Sequence, residues 1–344
     1  MDKRVMFAAA GSGKTTYIVE NLTKEKRTLI VTYTNSNYEN LYKKITNKFD
    51  GVWPDNVVLM TYFSFLFKFC YKPFLADLIQ AKGILYEPNP NRNCPQTSSL
   101  YYMTKNKYLY SNRLSLLLQK KHVVDLIKER IKKYFDEFII DEIQDIAGRD
   151  FSFLEDLMTS DINILLVGDF YQHTFDTSRD GNANKKLFDD KNSYEQRFEV
   201  KGVCCDSDTL KNSWRCSKNT CDFVRENIGI EIFSNRPDTD VTTIEFVSDM
   251  DSIKNLLNNP DIIKLHYQNS SKFGIHHKNW GDTKGEDHYN DVCVLLNKKT
   301  MKKFNEGKLK ELPQSTKNKL YVAITRARGN VYFVEEDVAK SLLK

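Results

Sequence analysis

Residues 8–15, AAAGSGKT, combine the small, flexible and basic residue types that hold a nucleotide phosphate. The segment follows the pattern G-x-x-x-x-G-K-[ST], with Ala8 in place of the first glycine. Its two glycines let the backbone turn N–H groups inward at a helix N-terminus, where negative charge is favoured. Lys14 is expected to reach the β- and γ-phosphates, and the Thr15 hydroxyl to ligate Mg²⁺. The predicted nucleotide-binding residues of this segment are Ala10, Gly11, Ser12, Gly13, Lys14, Thr15 and Thr16.

A second candidate segment, FIIDEIQD (residues 138–145), places carboxylates directly after an apolar run. We expect Asp141 to hold the magnesium ion through water and Glu142 to act as the general base on the attacking water. The alternative is an exposed acidic start of a helix. The apolar run FII favours a buried strand, which would deliver both carboxylates to the edge of a sheet where ligands bind.

Alternating apolar strand patterns and amphipathic helix patterns surround both segments and predict an α/β fold with parallel sheets covered by helices. Predicted strands cover residues 4–10, 27–33, 56–61, 136–141, 163–169, 243–247, 261–267, 291–296 and 330–334. One long helix is predicted over residues 116–135. Residues 71–115, rich in Pro, Asn and Tyr, read as an insertion. The alternation restarts after about residue 205, so we predict two domains, 1–205 and 206–344.

Composition limits the classes of function. The chain has 344 residues and a formal net charge of +5, so any nucleic-acid contact should be a local basic stripe. No apolar run is long enough to span a bilayer, and the N-terminus leaves no room for a signal peptide, so a cytoplasmic protein without membrane contact is expected. Four cysteines, Cys204, Cys205, Cys216 and Cys221, fit no common zinc spacing, and the last two fall inside a predicted helix. Small buried hydrophobic residues are the favoured interpretation. His276 and His277 are interpreted as loop residues.

Several segments together resemble one family. DEIQD (141–145) is similar to the DExQD box of the UvrD/Rep/PcrA-type superfamily 1 DNA helicases, and further motifs follow in that family's order. These are TYTNSNYENL (32–41), MTYFSF (60–65), VGDFYQHTF (167–175), LKNSWRCSKNTCDF (210–223), GDTKGEDHYNDVCVLL (281–296) and YVAITRAR (321–328). The match extends from residue 6 to about residue 334.

The resemblance implies two RecA-like P-loop NTPase domains with ATP in the cleft between them. It implies that Gln144 and Gln172 sense the γ-phosphate, since an amide can both donate to phosphate and accept from water. Arg215 and Arg326 match two arginines of the second domain that stabilise the phosphoryl transition state. The resemblance implies two further nucleotide contacts. Trp214 is expected to stack on adenine, with packing in the core as the alternative. Glu286 is expected near the ribose, although the family spacing is Lys-Gly-Leu-Glu and this chain reads Lys-Gly-Glu.

The same resemblance places single-stranded DNA, or partly duplex DNA, across both domains. Stacking of bases on aromatic rings tolerates any sequence, and lysines would serve the backbone. The matching positions are Tyr33, Asn35, Tyr62, Phe63 and Phe175. A lysine run at 298–303 is more simply a solvated helix face. The row of phenylalanines at 63–69 is interpreted mostly as core.

Three departures from the family pattern qualify the resemblance. The family carries a glutamine-bearing segment that reads adenine ahead of the phosphate loop, and only seven residues precede Ala8 here, so loose selectivity for the base is expected. The segment DTSRDGN (176–182) offers Arg179 only as a displaced substitute for a DNA-contacting arginine. Between Lys14 and Asp141 lie 126 residues, and between Arg215 and Thr283 lie 67, which indicates a minimal motor without the large insertion of the second domain.

The leading hypothesis is therefore an ATP-dependent translocase or helicase on single-stranded DNA, with 3′-to-5′ polarity implied by the family alone. A second hypothesis is a DNA-sensing NTPase subunit that regulates or assists a partner nuclease in phage defence, phage replication or repair. A small-molecule kinase with a phosphate loop is a poorer alternative, because it leaves the TRAR and GDFYQ segments without a role.

Overall fold

The computed structural model describes residues 1–91, 93–174 and 182–343, and these residues form two compact units. Unit 1 comprises Met1–Met6, Thr15–Gly168 and the described part of Phe175–Asp206. Unit 2 comprises Phe7–Lys14, Asp169–Thr174 and the described part of Ser207–Lys344. The phosphate-loop segment before Thr15 thus packs with the second half of the chain.

Unit 1 contains a six-stranded sheet of order β3-β2-β6-β7-β1-β8 and a two-stranded pair, β4-β5. Its strands are β1 (Lys3–Phe7), β2 (Thr28–Thr32), β3 (Val57–Thr61), β4 (Gly83–Leu85), β5 (Tyr108–Tyr110), β6 (Glu137–Asp141), β7 (Asn163–Gly168) and β8 (Cys204–Asp206). The pairings β2–β3, β2–β6, β6–β7 and β1–β8 are parallel. Because parallel strands end at the same edge, the residues that follow β2, β3, β6 and β7 share one edge of the sheet.

The helices of unit 1 cover this sheet. They are α1 (Lys14–Glu20), α2 (Asn35–Lys48), α3 (Tyr62–Ser64), α4 (Lys72–Ile79), α5 (Ser99–Tyr102), α6 (Ser111–Lys120), α7 (Val124–Tyr134), α8 (Gly148–Leu157) and α9 (Lys191–Glu199). A π-helical segment, Phe65–Tyr71, joins α3 to α4. Strands β2 and β6 are almost wholly buried, as apolar strands covered on both faces must be.

Unit 2 contains a five-stranded parallel sheet of order β11-β15-β14-β12-β13 and the pair β9-β10. Its strands are β9 (Asn212–Ser213), β10 (Phe233–Ser234), β11 (Ile244–Phe246), β12 (Ile263–His266), β13 (His277–Asn279), β14 (Val292–Leu296) and β15 (Val331–Glu335). Its helices are α10 (Lys218–Phe223), α11 (Met250–Asn258), α12 (Lys298–Asn305), α13 (Gln314–Ile324) and α14 (Glu336–Leu342). The α/β class with parallel sheets is confirmed.

Three details of the secondary structure differ from the sequence prediction. The helix predicted over residues 116–135 is two helices, α6 and α7, because His122 adopts a left-handed backbone conformation with φ of 55°. His277 lies in strand β13, paired with Lys264 of β12, and not in a loop. Cys216 precedes α10, whose N-cap is Ser217, so only Cys221 lies in the helix.

The lysine run at 298–303 lies on α12, where Lys298, Lys299 and Lys302 are exposed. Lys303 forms an ion pair with Glu311 at 2.5 Å. This arrangement agrees with the prediction of a solvated helix face.

Candidate functional site

The phosphate-loop segment follows β1 and bends through two residues with positive φ, Gly11 at 72° and Gly13 at 90°. A Cβ atom at Gly11 would lie 2.6 Å from Cβ of Arg215 and 2.8 Å from Oγ of Ser213. Gly11 O also accepts a hydrogen bond of 2.9 Å from Trp214 N. Conformation and close approach therefore both require glycine at position 11. These contacts place the loop directly against the segment that carries Arg215.

A buried hydrogen-bond chain connects the same loop to α13. The Tyr321 hydroxyl accepts from Ala10 N at 2.8 Å and donates to Oδ2 of Asp169 at 3.0 Å. The same carboxylate oxygen accepts from Nε2 of Gln172 at 2.8 Å. Burial raises the pKa of Tyr321 well above its ordinary value, so the phenol keeps the proton that it donates.

Asp169, at the centre of this chain, is completely buried. Burial raises the pKa of its carboxyl group, while the charge of Lys14 and the hydrogen bonds from Gln172 and Tyr321 oppose the rise. A buried carboxylate is stable only when donors and a positive charge compensate it. This network thereby connects the predicted residues Lys14 and Gln172 to one another within unit 2.

The two predicted arginines of unit 2 converge on one carboxylate. Arg215 and Arg326 are both buried, and both contact Oδ1 of Asp287, Arg215 in a close ion pair and Arg326 at 3.8 Å. Burial, followed by the neighbouring positive charge of Arg215, lowers the pKa of Arg326 to about 10. Arg326 therefore remains charged at neutral pH, and the two guanidinium groups form a compact cationic site suited to a multivalent anion.

Two other predicted nucleotide contacts adjoin residues of this site in the sequence, since Trp214 precedes Arg215 and Glu286 precedes Asp287. The Trp214 side chain is 64% exposed, which rules out the alternative of a core residue and leaves its face open to a planar ligand. The Glu286 carboxylate instead accepts hydrogen bonds from Nζ of Lys278 and the hydroxyl of Tyr289. Its predicted contact with a ribose stays a prediction.

In unit 1 the predicted carboxylates follow β6, as expected. Asp141 is buried at the end of that strand, and Glu142 has a φ of 58°, a left-handed conformation that a non-glycine residue adopts only at some cost in free energy. The Glu142 carboxylate accepts a hydrogen bond from the amide of Gln144. A Cβ atom at Gly168, at the end of β7, would lie 2.2 Å from Oε1 of Gln144. Glycine at that position therefore leaves room for the glutamine.

Magnesium chemistry fits the residue types of unit 1. Thr15 offers a hydroxyl oxygen and Asp141 a carboxylate oxygen, the hard ligands that Mg²⁺ takes together with water and phosphate. Lys44 of α2 donates a hydrogen bond of 3.1 Å to the hydroxyl of Thr16, next to Thr15. Among the described residues, no group of three or more His, Cys, Asp or Glu side chains is arranged to hold a metal ion. Of the four cysteines interpreted as buried, Cys216 and Cys221 are buried, whereas Cys204 is exposed and Cys205 is half-buried.

The predicted nucleic-acid contacts of unit 1 form an aromatic cluster at one sheet edge. Tyr33 follows β2 and Tyr62 follows β3, and Phe63 lies 5.7 Å from Tyr33 and 5.5 Å from Tyr62 between ring centroids. Tyr86, from the insertion, meets Phe63 edge to face at 5.3 Å and is 67% exposed. Tyr62 is buried, Tyr33 and Phe63 are half-buried and Tyr86 is exposed, so three of the four rings present some surface to solvent.

Two further predicted contacts complete this set. Asn35 is the exposed first residue of α2, whose N-cap Thr34 accepts a hydrogen bond from Asn37 N. Phe175 and Arg179 lie outside the described residues.

A buried acid lies behind the aromatic cluster. Asp150, in the first turn of α8, is completely buried, and burial raises its pKa to about 7 against the effect of the neighbouring hydroxyls of Ser115 and Tyr62. Burial, followed by the charge of Asp150, raises the pKa of Tyr33 well above its ordinary value. Both tyrosines therefore stay neutral at physiological pH.

Four residues of these networks were not predicted from the sequence. Asp169 and Tyr321 lie inside the quoted segments VGDFYQHTF and YVAITRAR, so their motifs contained a signal. Asp287 is adjacent to Glu286, and it occupies the position of the family glutamate when Lys-Gly-Leu-Glu is aligned without a gap. Tyr86 lies in the insertion, where no motif singled it out.

In the described part of the chain, no helix has the length and apolar character that crossing a bilayer requires.

Two family profiles match the chain. One, described as an AAA domain, matches residues 2–176, and the other, described as the viral superfamily 1 RNA helicase core domain, matches residues 105–335. Each covers more than half of the 344 residues. No curated protein matches the chain.

Solved structures of viral helicases are similar to the chain. The helicase of PRRSV has a TM-score of 0.47 at 13% identity, with 97% of this chain and 52% of that chain covered. Arterivirus nonstructural protein 10 (helicase) in complex with DNA has a TM-score of 0.49 at 14% identity, with 99% and 62% covered. This chain therefore spans about half to three-fifths of the length of those proteins.

Proposed function

Because the chain belongs to the superfamily 1 helicases, we propose that it is an ATP-dependent motor that moves along single-stranded nucleic acid. The observation that carries the proposal is the pair of buried arginines, Arg215 and Arg326, in the same unit as the glycine-rich loop. Surface arginines would be solvated; buried ones with a shared anion are characteristic of a phosphate site.

Each residue has a proposed role in hydrolysis. Lys14 would hold the β- and γ-phosphates, and the arginines would stabilise the charge that spreads over the transferred phosphoryl group. Mg²⁺, when bound, would neutralise phosphate charge, with the Thr15 hydroxyl as a ligand and Asp141 holding the ion through water. Glu142 would take a proton from the attacking water, and Gln144 would orient that water. Gln172 would respond to the γ-phosphate through its bond to Asp169.

For the nucleic acid we propose that Tyr33, Asn35 and Phe63 contact the strand, with bases stacked on the exposed rings. We take DNA as the substrate, with 3′-to-5′ movement, on the basis of the UvrD-type motifs. One matching family profile is described as an RNA helicase core, so RNA is the alternative outcome of the test.

The proposal is tested by measuring ATP hydrolysis with and without single-stranded and duplex DNA and RNA. We expect strong stimulation by single strands and loss of turnover in Lys14→Ala and Glu142→Gln. Lys24→Ala, an exposed lysine shortly after α1, is the matched control and should behave as the unaltered protein. Hydrolysis that no polynucleotide stimulates would contradict a motor function.

A second candidate, an NTPase subunit that assists a partner nuclease, uses the same ATP site. The short internal segments favour it, because a compact motor offers little surface of its own for strand separation. Strand displacement by the isolated chain would support the first candidate. ATPase activity without displacement, restored by a co-purifying nuclease, would support the second.

A further inference from the structure

Two positive side chains in unit 2 share a single negative one. Arg215 and Arg326 are 8% and 1% exposed, whereas the Asp287 carboxylate that contacts both is 58% exposed. The pair therefore keeps a net positive charge in a place with little solvent to screen it. Such a charge attracts any anion that can reach it.

The two arginines do not depend on Asp287 for their position. Nη1 of Arg215 donates to Thr325 O at 3.1 Å. Arg326 donates from Nη1 to Glu286 O at 3.2 Å and from Nε to Val322 O at 3.3 Å. These acceptors are backbone carbonyls of the surrounding segments. Removing the Asp287 carboxylate should therefore leave both guanidinium groups in place.

The Asp287 carboxylate, in contrast, is largely exposed to solvent. Its backbone carbonyl accepts a hydrogen bond of 2.9 Å from Nε of Arg328, which fixes the main chain. The exposed carboxylate can turn into water and recover its hydration there, so the free-energy cost of leaving the arginines is small.

The arginines also retain unused hydrogen-bonding capacity. Nε of Arg215 and Nη2 of Arg326 are buried and have no acceptor among the described residues. A buried N–H group without an acceptor is destabilising, because it has lost its hydrogen bonds to water. A phosphate group presents more acceptor oxygens than one carboxylate and would satisfy these donors better.

We propose that Asp287 is a resident counter-ion of the two-arginine site, which the terminal phosphate of an incoming nucleoside triphosphate displaces. Asp287 thus competes with the ligand and sets the affinity for triphosphate relative to diphosphate. This inference rests on the proposed function, because it requires the arginines to meet the terminal phosphate.

The test compares Asp287→Asn with the unaltered protein in binding a non-hydrolysable ATP analogue and ADP. Asparagine keeps the shape of aspartate and removes the charge. We expect the ATP analogue to bind about fivefold to tenfold more tightly, and ADP, which lacks the terminal phosphate, to change by less than about twofold. In turnover assays the same variant should have a lower KM for ATP.

Three controls separate this role from a structural one. Asp287→Glu keeps the charge and should restore the affinity of the unaltered protein. Asp282→Asn removes an exposed carboxylate from the same loop, where it accepts a hydrogen bond from Asn279, and should have no effect on either ligand. Asp287→Ser is a second uncharged variant, and thermal melting verifies that each variant is folded.

The inference is overturned if Asp287→Asn binds the ATP analogue no more tightly, or tightens the ATP analogue and ADP equally. If the unaltered protein binds and hydrolyses ATP normally in that experiment, the proposed function survives and only the role of Asp287 is wrong. If the unaltered protein and Lys14→Ala bind the analogue equally poorly, both proposals fail together.

Discussion

Removing the hydroxyl of Tyr321 tests the coupling between the glycine-rich loop and α13. Tyr321→Phe keeps the buried ring and deletes two hydrogen bonds, one accepted from Ala10 N at 2.8 Å and one donated to Asp169 at 3.0 Å. A bond to a charged group contributes about 1.5–3 kcal/mol and a neutral one about 0.5–1.5 kcal/mol. We therefore expect the free energy of unfolding to fall by about 2–4 kcal/mol near pH 8.

The size of this loss should depend on pH. Burial holds the pKa of Asp169 above its unfolded value, so the folded protein keeps this proton to a higher pH than the unfolded chain does. Without the Tyr321 donor, the pKa of Asp169 in the folded state rises further. When Asp169 is protonated and neutral, loss of the Tyr321 donor costs less free energy than when Asp169 is charged. The cost of Tyr321→Phe is thus largest above the folded pKa of Asp169 and shrinks as the pH falls toward 4.

Urea denaturation from pH 8 to pH 4 measures both the size and the trend. Tyr267→Phe is the matched control, since this half-buried tyrosine of the same unit packs against Trp280, outside the network. A cost for Tyr321→Phe that is the same at every pH would refute the assignment of the charged carboxylate as its partner. A cost no larger than that of Tyr267→Phe would refute the network itself.

The remaining predictions concern three other positions. Gly168→Ala should abolish turnover and lower the free energy of unfolding, measured by urea denaturation, by about 1–3 kcal/mol, because its Cβ would lie 2.2 Å from Oε1 of Gln144. Gly83→Ala is the control, since a Cβ there would make only van der Waals contacts of normal length. Asp150→Asn should flatten the pH dependence of the free energy of unfolding. In the unaltered protein the folded state keeps the Asp150 proton to about pH 7, so its free energy of unfolding should fall by up to about 1.4 kcal/mol per pH unit as the pH rises from about 4 to about 7. Parallel curves of unfolding free energy against pH for the two proteins would contradict this. Arg326→Ala should retain nucleotide binding and lose turnover by about 10³-fold, and normal hydrolysis would exclude its role in the transition state.

The sequence predicted the parts of the fold whose signal is local. The apolar run before the carboxylates identified the end of β6 at Asp141, whereas the strand predicted over residues 4–10 ends at Phe7. The α/β class follows from the alternation of strands with helices. The resemblance to superfamily 1 helicases is confirmed at that level by the family profiles, while the UvrD/Rep/PcrA type and the polarity stay predictions.

What the sequence did not predict depends on contacts between distant residues. The turn between α6 and α7 depends on the backbone conformation of His122, which lies within an otherwise continuous helical pattern. His277 lies in β13, the edge strand beside β12, and the short polar sequence of this strand carries no alternating apolar pattern. The role of Asp287 depends on two arginines 72 and 39 positions away, which no local pattern can indicate.

The strand order of unit 1 has a consequence for how the chain is made. β1 leaves the ribosome before the other strands of its sheet, yet its neighbours in the sheet are β7 and β8. The backbone of Asp2 meets Asn163 across 161 positions, a delay of roughly 10–30 s at ordinary rates of translation. During that interval the apolar residues Val5, Met6 and Phe7 have no sheet to cover them. Nascent chains should therefore bind chaperones early, and nucleotide can assist folding only after most of unit 1 has been synthesised.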